Sequence, residues 1–345
     1  MDCLETGWIS SLGVYVERFE HAVAGRTGVA HAIAVCNGTV ALHLALHGLG
    51  IGPGDEVIVP SFTYIASVNT ISHTGARPVF AESRREDWLL DPASIEARIT
   101  PRTRAIMAVH LYGAACDMAK LRAIADRHGL ALVEDAAEAL GTTIAGRPVG
   151  SFGDAAAFSF FGNKTVTTGE GGMVVCADDA LGLRLRQARG QGQSFTRRYW
   201  HEVMGFNYRM TNIAAAIGCA QMERLDANLA RKRALAARYR TLLAGLPVAF
   251  QQPLPGVESA EWLVSLLLPE GADRDAVMAG MAARGIETRP VFYCAHTMPV
   301  QRQEVRLPVA EAIAARGISL PSFPGITYVE QDRVADALAE ALRAT

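Results

Sequence analysis

One lysine stands in the middle of the stretch Phe158-Ser159-Phe160-Phe161-Gly162-Asn163-Lys164-Thr165-Val166-Thr167-Thr168-Gly169-Glu170-Gly171-Gly172. An apolar run precedes Lys164, hydroxyls and glycines follow it, and a second apolar run extends from Met173 to Cys176. Apolar runs on either side of a glycine-rich segment are typical of strands joined by a tight turn. The stretch therefore predicts that the Lys164 amine lies on a turn at the edge of a sheet.

Most lysines are solvated surface charges, but the surroundings of Lys164 oppose that interpretation. Its flanks are apolar residues, hydroxyls and glycines, and a partly desolvated amine loses its proton more easily. Such an amine can form a Schiff base with a carbonyl compound or with pyridoxal 5'-phosphate. Because a single lysine is weak evidence, the rest of the chain must supply the partners of this chemistry.

Apolar strands alternate with helical segments through the first part of the chain. The predicted strands are His31–Cys36, Glu56–Pro60, Pro78–Phe80, Ala105–Val109 and Ala131–Glu134. The predicted helices are Tyr15–Ala24, Thr39–Leu49, Thr63–His73, Pro92–Ile99 and Met118–His128. This alternation favours an α/β fold, a mostly parallel sheet with helices on both faces, in which ligands bind beyond the carboxyl ends of the strands.

A long helical region, Arg209–Leu243, is followed by a proline-rich stretch and a smaller α+β unit. We predict a large domain at residues 1–245 and a small one at 246–345. The predicted elements of the small domain are strands near Trp262–Leu268 and Ile286–Val291 and helices near Arg274–Arg284 and Val329–Leu342.

The composition is that of an ordinary globular protein. The 345 residues are half hydrophobic and one-fifth charged, and the formal net charge is -2, so neither nucleic acid nor an anionic membrane is an expected partner. Six scattered cysteines without CxxC spacing indicate buried thiols rather than disulfides or a metal site. No signal peptide or membrane-spanning run is recognisable, and a cytoplasmic location is expected.

Several polar groups follow predicted strands. Asn37-Gly38-Thr39 opens a helix after the first strand, an arrangement that suits either a phosphate site or an ordinary helix cap. Asp135 follows a buried strand and either caps a helix or pairs with a cation such as a protonated pyridine nitrogen. Glu138, one helical turn on, is expected to face the same pocket.

Three further residues are candidates for cofactor contacts. Tyr64 follows another strand and can present a flat ring to a planar cofactor, although aromatic rings at such positions more often belong to the core. Ser159, just before the lysine, can add a hydroxyl to a phosphate site, and so can Asn207 from the same or from another subunit.

Taken together, the chain resembles the pyridoxal phosphate-dependent nucleotide-sugar aminotransferases of the DegT type. The motifs that carry the resemblance extend over nearly the whole chain: Gly7-Trp8-Ile9-Ser10-Ser11-Leu12-Gly13, Asn37-Gly38-Thr39, Pro60-Ser61-Phe62-Thr63-Tyr64, Val109-His110-Leu111-Tyr112-Gly113, Glu134-Asp135-Ala136-Ala137-Glu138-Ala139, the Lys164 stretch, Gly205 to Asn212, Arg289-Pro290-Val291-Phe292-Tyr293 with His296, and Leu320-Pro321-Ser322-Phe323-Pro324.

This resemblance implies the aspartate aminotransferase-like architecture, fold type I, with a large seven-stranded, mostly parallel sheet and a smaller α+β domain. The Lys164 stretch looks most like that of the GDP-perosamine synthases. Those enzymes move an amino group from L-glutamate to C4 of GDP-4-keto-6-deoxymannose for polysaccharide biosynthesis.

The resemblance also implies roles for individual residues. Lys164 would carry the cofactor as a Schiff base and shuttle a proton, and Asp135 would pair with the ring nitrogen. The remaining cofactor contacts would be Gly38, Thr39 and Ser159 at the phosphate, Tyr64 and Glu138 at the ring, and Asn207 from the neighbouring subunit of a homodimer. The implied sugar-nucleotide contacts are Trp8, Arg209, Tyr293 and His296.

Two comparisons bear on the activity. Relatives with histidine in place of Lys164 remove a hydroxyl, so the lysine favours transamination. The chain also has fewer residues ahead of Gly7-Trp8 than the family usually has, which we expect to matter if those residues serve the sugar site or the dimer.

Other functions remain open. The acceptor could instead be a UDP- or dTDP-linked keto sugar or a keto-inositol. A non-catalytic regulatory relative is a more distant alternative, and an ordinary dinucleotide-binding enzyme is disfavoured because no GxGxxG turn follows the first strand.

Overall fold

A seven-stranded sheet forms the centre of the protein, whose computed structural model describes residues 1–344. The strands along the chain are β1 (His31–Val35), β2 (Glu56–Pro60), β3 (Arg77–Ala81), β4 (Thr103–Val109), β5 (Ala131–Asp135), β6 (Thr143–Ile144), β7 (Arg147–Pro148), β8 (Ala155–Ser159), β9 (Gly172–Cys176), β10 (Ala249–Phe250), β11 (Val257–Glu258), β12 (Val264–Leu267), β13 (Arg289–Pro290) and β14 (Gly317–Leu320).

The helices surround this sheet and a smaller one. They are α1 (Asp2–Thr6), α2 (Val14–Thr27), α3 (Gly38–Gly48), α4 (Ile65–His73), α5 (Met118–His128), α6 (Asp179–Arg189), α7 (Asn212–Met222), α8 (Leu225–Leu242), α9 (Arg274–Ala283), α10 (Pro308–Arg316) and α11 (Tyr328–Ala344). Within residues 1–344, no helix combines the length and the apolar character needed to cross a membrane.

The large sheet has the strand order β1-β9-β8-β5-β4-β2-β3. Strand β9 runs antiparallel to both of its neighbours, and the other neighbouring pairs are parallel. Residues Ile33 and Val35 of β1 pack in one core cluster, and Ala32 and Ala34 pack in another. Both faces of the sheet are therefore buried, and the predicted mostly parallel seven-stranded sheet is confirmed.

A second, antiparallel sheet, β10-β12-β14-β13, lies in the later part of the chain. It shares a core with α9, α11 and the C-terminal half of α8, whose Leu235 and Tyr239 are buried there. Strand β11, although it follows residue 245, pairs with β6 of the earlier part. The division into domains at residues 1–245 and 246–345 stays a prediction.

Two predicted elements were wrong in detail. The helix predicted at Pro92–Ile99 is two short 3₁₀ turns, Pro92–Ser94 and Glu96–Arg98, because the Ser94 carbonyl accepts from the Arg98 guanidinium while the Arg98 N–H donates to the Ile95 carbonyl. The strand predicted at Ile286–Val291 is only Arg289–Pro290, because the Ile286 N–H donates to the Met281 carbonyl at the end of α9. The helical region predicted at Arg209–Leu243 consists of two helices, α7 and α8.

Candidate active site

A cavity of about 480 Å³ opens beyond the carboxyl ends of the parallel strands. The segments that follow β1, β2, β4, β5 and β8 all contribute to its wall. Seven of the predicted cofactor residues line this cavity together: Gly38, Thr39, Tyr64, Asp135, Glu138, Ser159 and Lys164.

Lys164 lies on a tight turn between β8 and β9, where its backbone N–H donates to the Phe161 carbonyl. Its Nζ is 3.6 Å from Oε1 of Glu138 and 3.9 Å from the centre of the Trp262 ring. The side chain is mostly buried. The amine is therefore held between a carboxyl group and an indole face, out of bulk water.

Asp135 ends β5 and is buried. Its Oδ2 accepts a hydrogen bond from the Ser67 hydroxyl at 2.7 Å, and its Oδ1 accepts one from the Ala137 N–H at 3.1 Å. Burial raises the pKa of this carboxyl, while Ser67, Ala137 and Lys164 oppose the rise. Residues 136–142 form turns and extended chain, so the helix required by the capping interpretation does not follow. A buried carboxylate on a cavity wall suits a cationic partner such as a protonated ring nitrogen.

Glu138 lies beside Lys164 and is also buried. The Tyr112 N–H donates to its Oε2 at 2.9 Å, and burial raises the pKa of Glu138 to about 7 although Lys164 opposes the rise. Tyr112 adopts the left-handed region, at φ 58°, which is costly for a residue with a side chain. Next to it, a Cβ on Gly113 would lie 2.5 Å from the Glu261 nitrogen. Glu138 faces the same cavity as Asp135, from a turn rather than from a helix.

The start of α3 forms a narrow cradle on the opposite wall. Asn37 caps the helix by accepting a hydrogen bond from the Val40 N–H. A Cβ on Gly38 would lie 2.7 Å from the Ser159 Cβ, and one on Gly172 would lie 2.4 Å from the Asn37 carbonyl oxygen. Glycines thus let the helix N-terminus approach the Ser159 hydroxyl, and amides with hydroxyls at the positive end of a helix suit a phosphate. The Asn37-Gly38-Thr39 turn can therefore cap the helix and hold a phosphate at the same time.

The remaining wall is aromatic. Tyr64 follows β2 and is half exposed to the cavity, and its ring lies 5.6 Å from that of Phe292. The donor set as a whole, a buried lysine, a buried carboxylate, a phosphate cradle and a flat ring, fits pyridoxal phosphate.

Residues that the sequence did not single out complete the site. Ser67 supports Asp135, and Trp262, Arg289 and Phe292 line the cavity from the later part of the chain. Arg289 and Phe292 belong to a motif that was recognised without a role, whereas Ser67 and Trp262 carry no local signal. Trp262 comes next to Lys164 only because the chain folds back over nearly one hundred residues.

Three predicted residues lie together elsewhere, near the N-terminal segment. Asn207 accepts a hydrogen bond from Arg209 at 3.0 Å, and Arg209 also donates to the Ser11 hydroxyl. The Trp8 carbonyl accepts from the Asn212 side chain at 2.7 Å. Within the described residues, Asn207, Arg209 and Trp8 do not line the cavity of their own chain, and their roles stay predictions.

Tyr293 and His296 also lie outside the lining of the cavity as residues 1–344 form it. The Tyr293 hydroxyl accepts a hydrogen bond from Arg274 at 3.2 Å. His296 is buried, 2.6 Å from the Ser61 hydroxyl and 3.3 Å from Glu311. Both substrate contacts stay predictions. No cluster of three or more His, Cys, Asp or Glu side chains suited to a metal ion occurs in the described chain.

The sequence and the fold are similar to those of known proteins. The profile of the DegT/DnrJ/EryC1/StrS aminotransferase family matches residues 1–339. The GDP-perosamine synthase of Caulobacter vibrioides is 49% identical over 348 residues, which cover 99% of this chain and 94% of that protein. The GDP-perosamine synthase of Vibrio cholerae is 48% identical over 330 residues, 94% of this chain and 90% of that protein. The crystal structure of S. venezuelae DesV in complex with a ketimine intermediate has a TM-score of 0.93 at 42% identity and covers 99% of this chain and 92% of that one.

Proposed function

Because the chain belongs to the DegT/DnrJ/EryC1/StrS aminotransferase family, we propose that it transfers an amino group from L-glutamate to the C4 keto group of GDP-4-keto-6-deoxymannose, which yields GDP-perosamine. The observation that carries the choice of acceptor is the near 50% identity to GDP-perosamine synthases over more than nine-tenths of the chain. The fold is that of the pyridoxal phosphate-dependent transferases of fold type I, and the cofactor of the reaction is pyridoxal phosphate.

The cavity offers a matching group for each part of this cofactor. Gly38, Thr39 and Ser159 would hold the phosphate, Asp135 would face the ring nitrogen, and Tyr64 would lie against the ring, since all of them line one cavity with Lys164. When bound, pyridoxal phosphate accepts the electrons of the bond that is broken at the donor's α-carbon.

Lys164 would move a proton between the donor's α-carbon and the cofactor in the first half of the reaction, and between the cofactor and the sugar carbon in the second. Its amine is partly desolvated and held near a carboxylate, which keeps it at one place during these transfers. Asp135 would keep a negative charge opposite the ring nitrogen. Ser67 supports that charge by donating a hydrogen bond to it.

We further propose a homodimer in which Asn207 completes the phosphate site of the neighbouring subunit. Asn207 is exposed and does not line the cavity of its own chain. The preceding segment also exposes large apolar side chains, Phe195, Tyr199, Trp200 and Met204, and exposed apolar side chains of this size favour association.

The test is to incubate the purified protein with pyridoxal phosphate, L-glutamate and GDP-4-keto-6-deoxymannose and to search for the aminated sugar nucleotide by mass spectrometry. Product formation supports both the reaction and the acceptor. If 2-oxoglutarate forms without aminated sugar, the acceptor is wrong, and a panel of UDP- and dTDP-linked keto sugars and a keto-inositol identifies the alternative. If bound cofactor yields neither product, the proposed activity is wrong.

A further inference from the structure

Trp262 contacts the amine of Lys164 directly. Its ring centre is 3.9 Å from Nζ, while Oε1 of Glu138 lies 3.6 Å from the same atom. The face of an indole ring attracts an ammonium group, most strongly where water is excluded, and Trp262 is almost fully buried. Trp262 and Glu138 together therefore define where the amine sits.

Three contacts fix the position of Trp262. Its indole N–H donates to the carbonyl of Asn163, the residue before the lysine, at 2.9 Å. Its ring lies parallel to that of Tyr112, with the ring centres 6.5 Å apart. Its backbone carbonyl accepts a 2.8 Å hydrogen bond from Nζ of Lys232.

Lys232 is a buried residue of α8. It takes no part in the proposed reaction. Its Nζ also donates to the carbonyl of Ser322 at 2.9 Å, so one amine ties together the segments before β12 and after β14. Burial lowers its pKa to about 8. Of the 33 basic residues in the chain only three are lysines, and two of the three belong to this arrangement. An ammonium group can donate to two carbonyls without the planar geometry of a guanidinium.

We propose that Trp262 is a positioning residue for the Lys164 amine and that Lys232 anchors Trp262. The proposal rests on the proposed function, in which Lys164 moves the proton. Whenever Lys164 is a free amine, the indole face and the Glu138 carboxyl group hold the amine at one position. Because Lys232 holds the Trp262 and Ser322 carbonyls together, the position of the Lys164 amine depends on how α8 packs against the segments around β12 and β14.

The first measurement uses the full chain without cofactor and an acylating reagent, which modifies only neutral amines. Mass spectrometry resolves the lysines, because there are only Lys120, Lys164 and Lys232. The labelling rate of Lys164 at high pH reports access to the amine. The ratio of the labelling rate at neutral pH to the labelling rate at high pH reports what fraction of the Lys164 amine is neutral and free to react at neutral pH. Glu138 and Asp135, the acidic residues that act on Lys164, are kept in every variant, so that each variant differs from wild type only at the substituted residue.

Trp262→Leu removes the aromatic face but keeps an apolar cover, and we expect the ratio to rise by about three- to tenfold. Trp262→Phe keeps an aromatic face, and the ratio should stay within about twofold of wild type. Lys232→Met should raise the ratio by roughly two- to threefold, because Trp262 loses an anchor. Lys120→Met, at an exposed lysine of α5, is the matched control and should change nothing.

An unchanged ratio in Trp262→Leu overturns the role of Trp262, and equal ratios in Lys232→Met and Lys120→Met overturn that of Lys232. If Lys232→Met is unstable, Lys232→Gln replaces it, since its side chain is polar but uncharged and one bond shorter, and a ratio equal to that of wild type in a folded Lys232→Gln protein counts against the anchor. In the holoenzyme, Trp262→Leu should lower kcat by about tenfold with little change in KM for glutamate, and an unchanged kcat contradicts the proposal.

Protection of Lys164 from labelling by added pyridoxal phosphate separates this inference from the proposed function. Without protection, Lys164 does not carry the cofactor and the proposed function fails, whatever the labelling ratios are. With protection but unchanged ratios, the proposed function stands and the positioning role fails.

Discussion

The Ser67 hydroxyl donates a 2.7 Å hydrogen bond to Oδ2 of Asp135. The two residues are 68 positions apart and belong to α4 and β5, which meet at the wall of the cavity. Burial raises the pKa of Asp135, and the Ser67 hydroxyl acts against that rise. Ser67 thus favours the charged carboxylate, which is the form that a protonated ring nitrogen requires.

Ser67→Ala should weaken this charge without removing it, because the Ala137 N–H still donates to Oδ1. We expect kcat for amino transfer from glutamate to fall by roughly tenfold, the size of one lost hydrogen bond to a charged group. Single-turnover kinetics of the glutamate half-reaction measure this fall in rate. The loss of kcat caused by Ser67→Ala should be smaller when Asp135 is already replaced by asparagine. If the losses of the two single variants simply add in the double variant, Ser67 does not act through Asp135.

Asp135→Asn should remove the negative charge opposite the ring nitrogen while keeping the shape of the side chain. We expect activity to fall on the order of 100-fold or more, with the melting temperature close to that of wild type. Asp336→Asn, at an exposed position of α11, is the matched control and should be fully active. Near-normal kinetics of Asp135→Asn would show that the carboxylate is not the partner of the ring.

Lys164→Ala should abolish turnover, since the variant has no amine to carry the cofactor or to move the proton. The phosphate cradle at Gly38 and the Asp135 carboxylate remain, so pyridoxal phosphate should still bind noncovalently. Equilibrium dialysis measures that binding, and borohydride reduction followed by mass spectrometry tests for a covalent bond. Turnover at the wild-type rate in this variant would refute the assignment.

Glu138 should make the stability of the cofactor-free protein fall as the pH rises. Burial raises its folded-state pKa to about 7, so the folded protein binds more protons than the unfolded chain between the ordinary carboxyl pKa and about 7. Stabilisation from the protonated group is present below that window and is lost across it, by at most about 3 kcal/mol. Urea unfolding at a series of pH values measures the slope.

Glu138→Gln tests the origin of this slope. The amide oxygen can still accept from the Tyr112 N–H, but the side chain no longer titrates. The free energy of unfolding of this variant should therefore depend less on pH than that of wild type in the same window. Identical slopes would assign the pH dependence to other groups.

How much of this site the sequence predicts depends on where each residue lies. Asp135 ends a strand, and Glu138 and Lys164 follow strands. Because parallel strands bring their carboxyl ends to one edge of a sheet, the alternation of strands and helices alone predicts that these residues meet. Ser67 and Trp262 cannot be found in this way. Ser67 is a polar residue within a helix, and Trp262 reaches Lys164 through packing of the later part of the chain.

The errors in the predicted secondary structure also arise from contacts that the local sequence does not reveal. Periodicity alone predicts a helix at Pro92–Ile99, but the Arg98 side chain donates hydrogen bonds to the Phe80 and Ser94 carbonyls, and short turns form there instead. The distant residues His296 and Tyr293 belong to a recognised motif, yet their neighbours are Ser61 and Arg274 rather than the cavity. A motif identifies such residues without fixing which way their side chains face.

Gly38→Ala should weaken cofactor binding through a steric effect. A Cβ at this position would lie 2.7 Å from the Ser159 Cβ and 3.3 Å from its Cα, so the start of α3 and the end of β8 must separate. We expect the affinity for pyridoxal phosphate to fall by about tenfold or more and the free energy of unfolding to fall by about 1–3 kcal/mol. Gly25→Ala is the control, because a Cβ there has nothing within 4 Å; at this exposed position of α2 alanine should stabilise the helix by about 0.5–1 kcal/mol. If Gly38→Ala binds the cofactor as tightly as wild type does, the phosphate does not sit between α3 and Ser159.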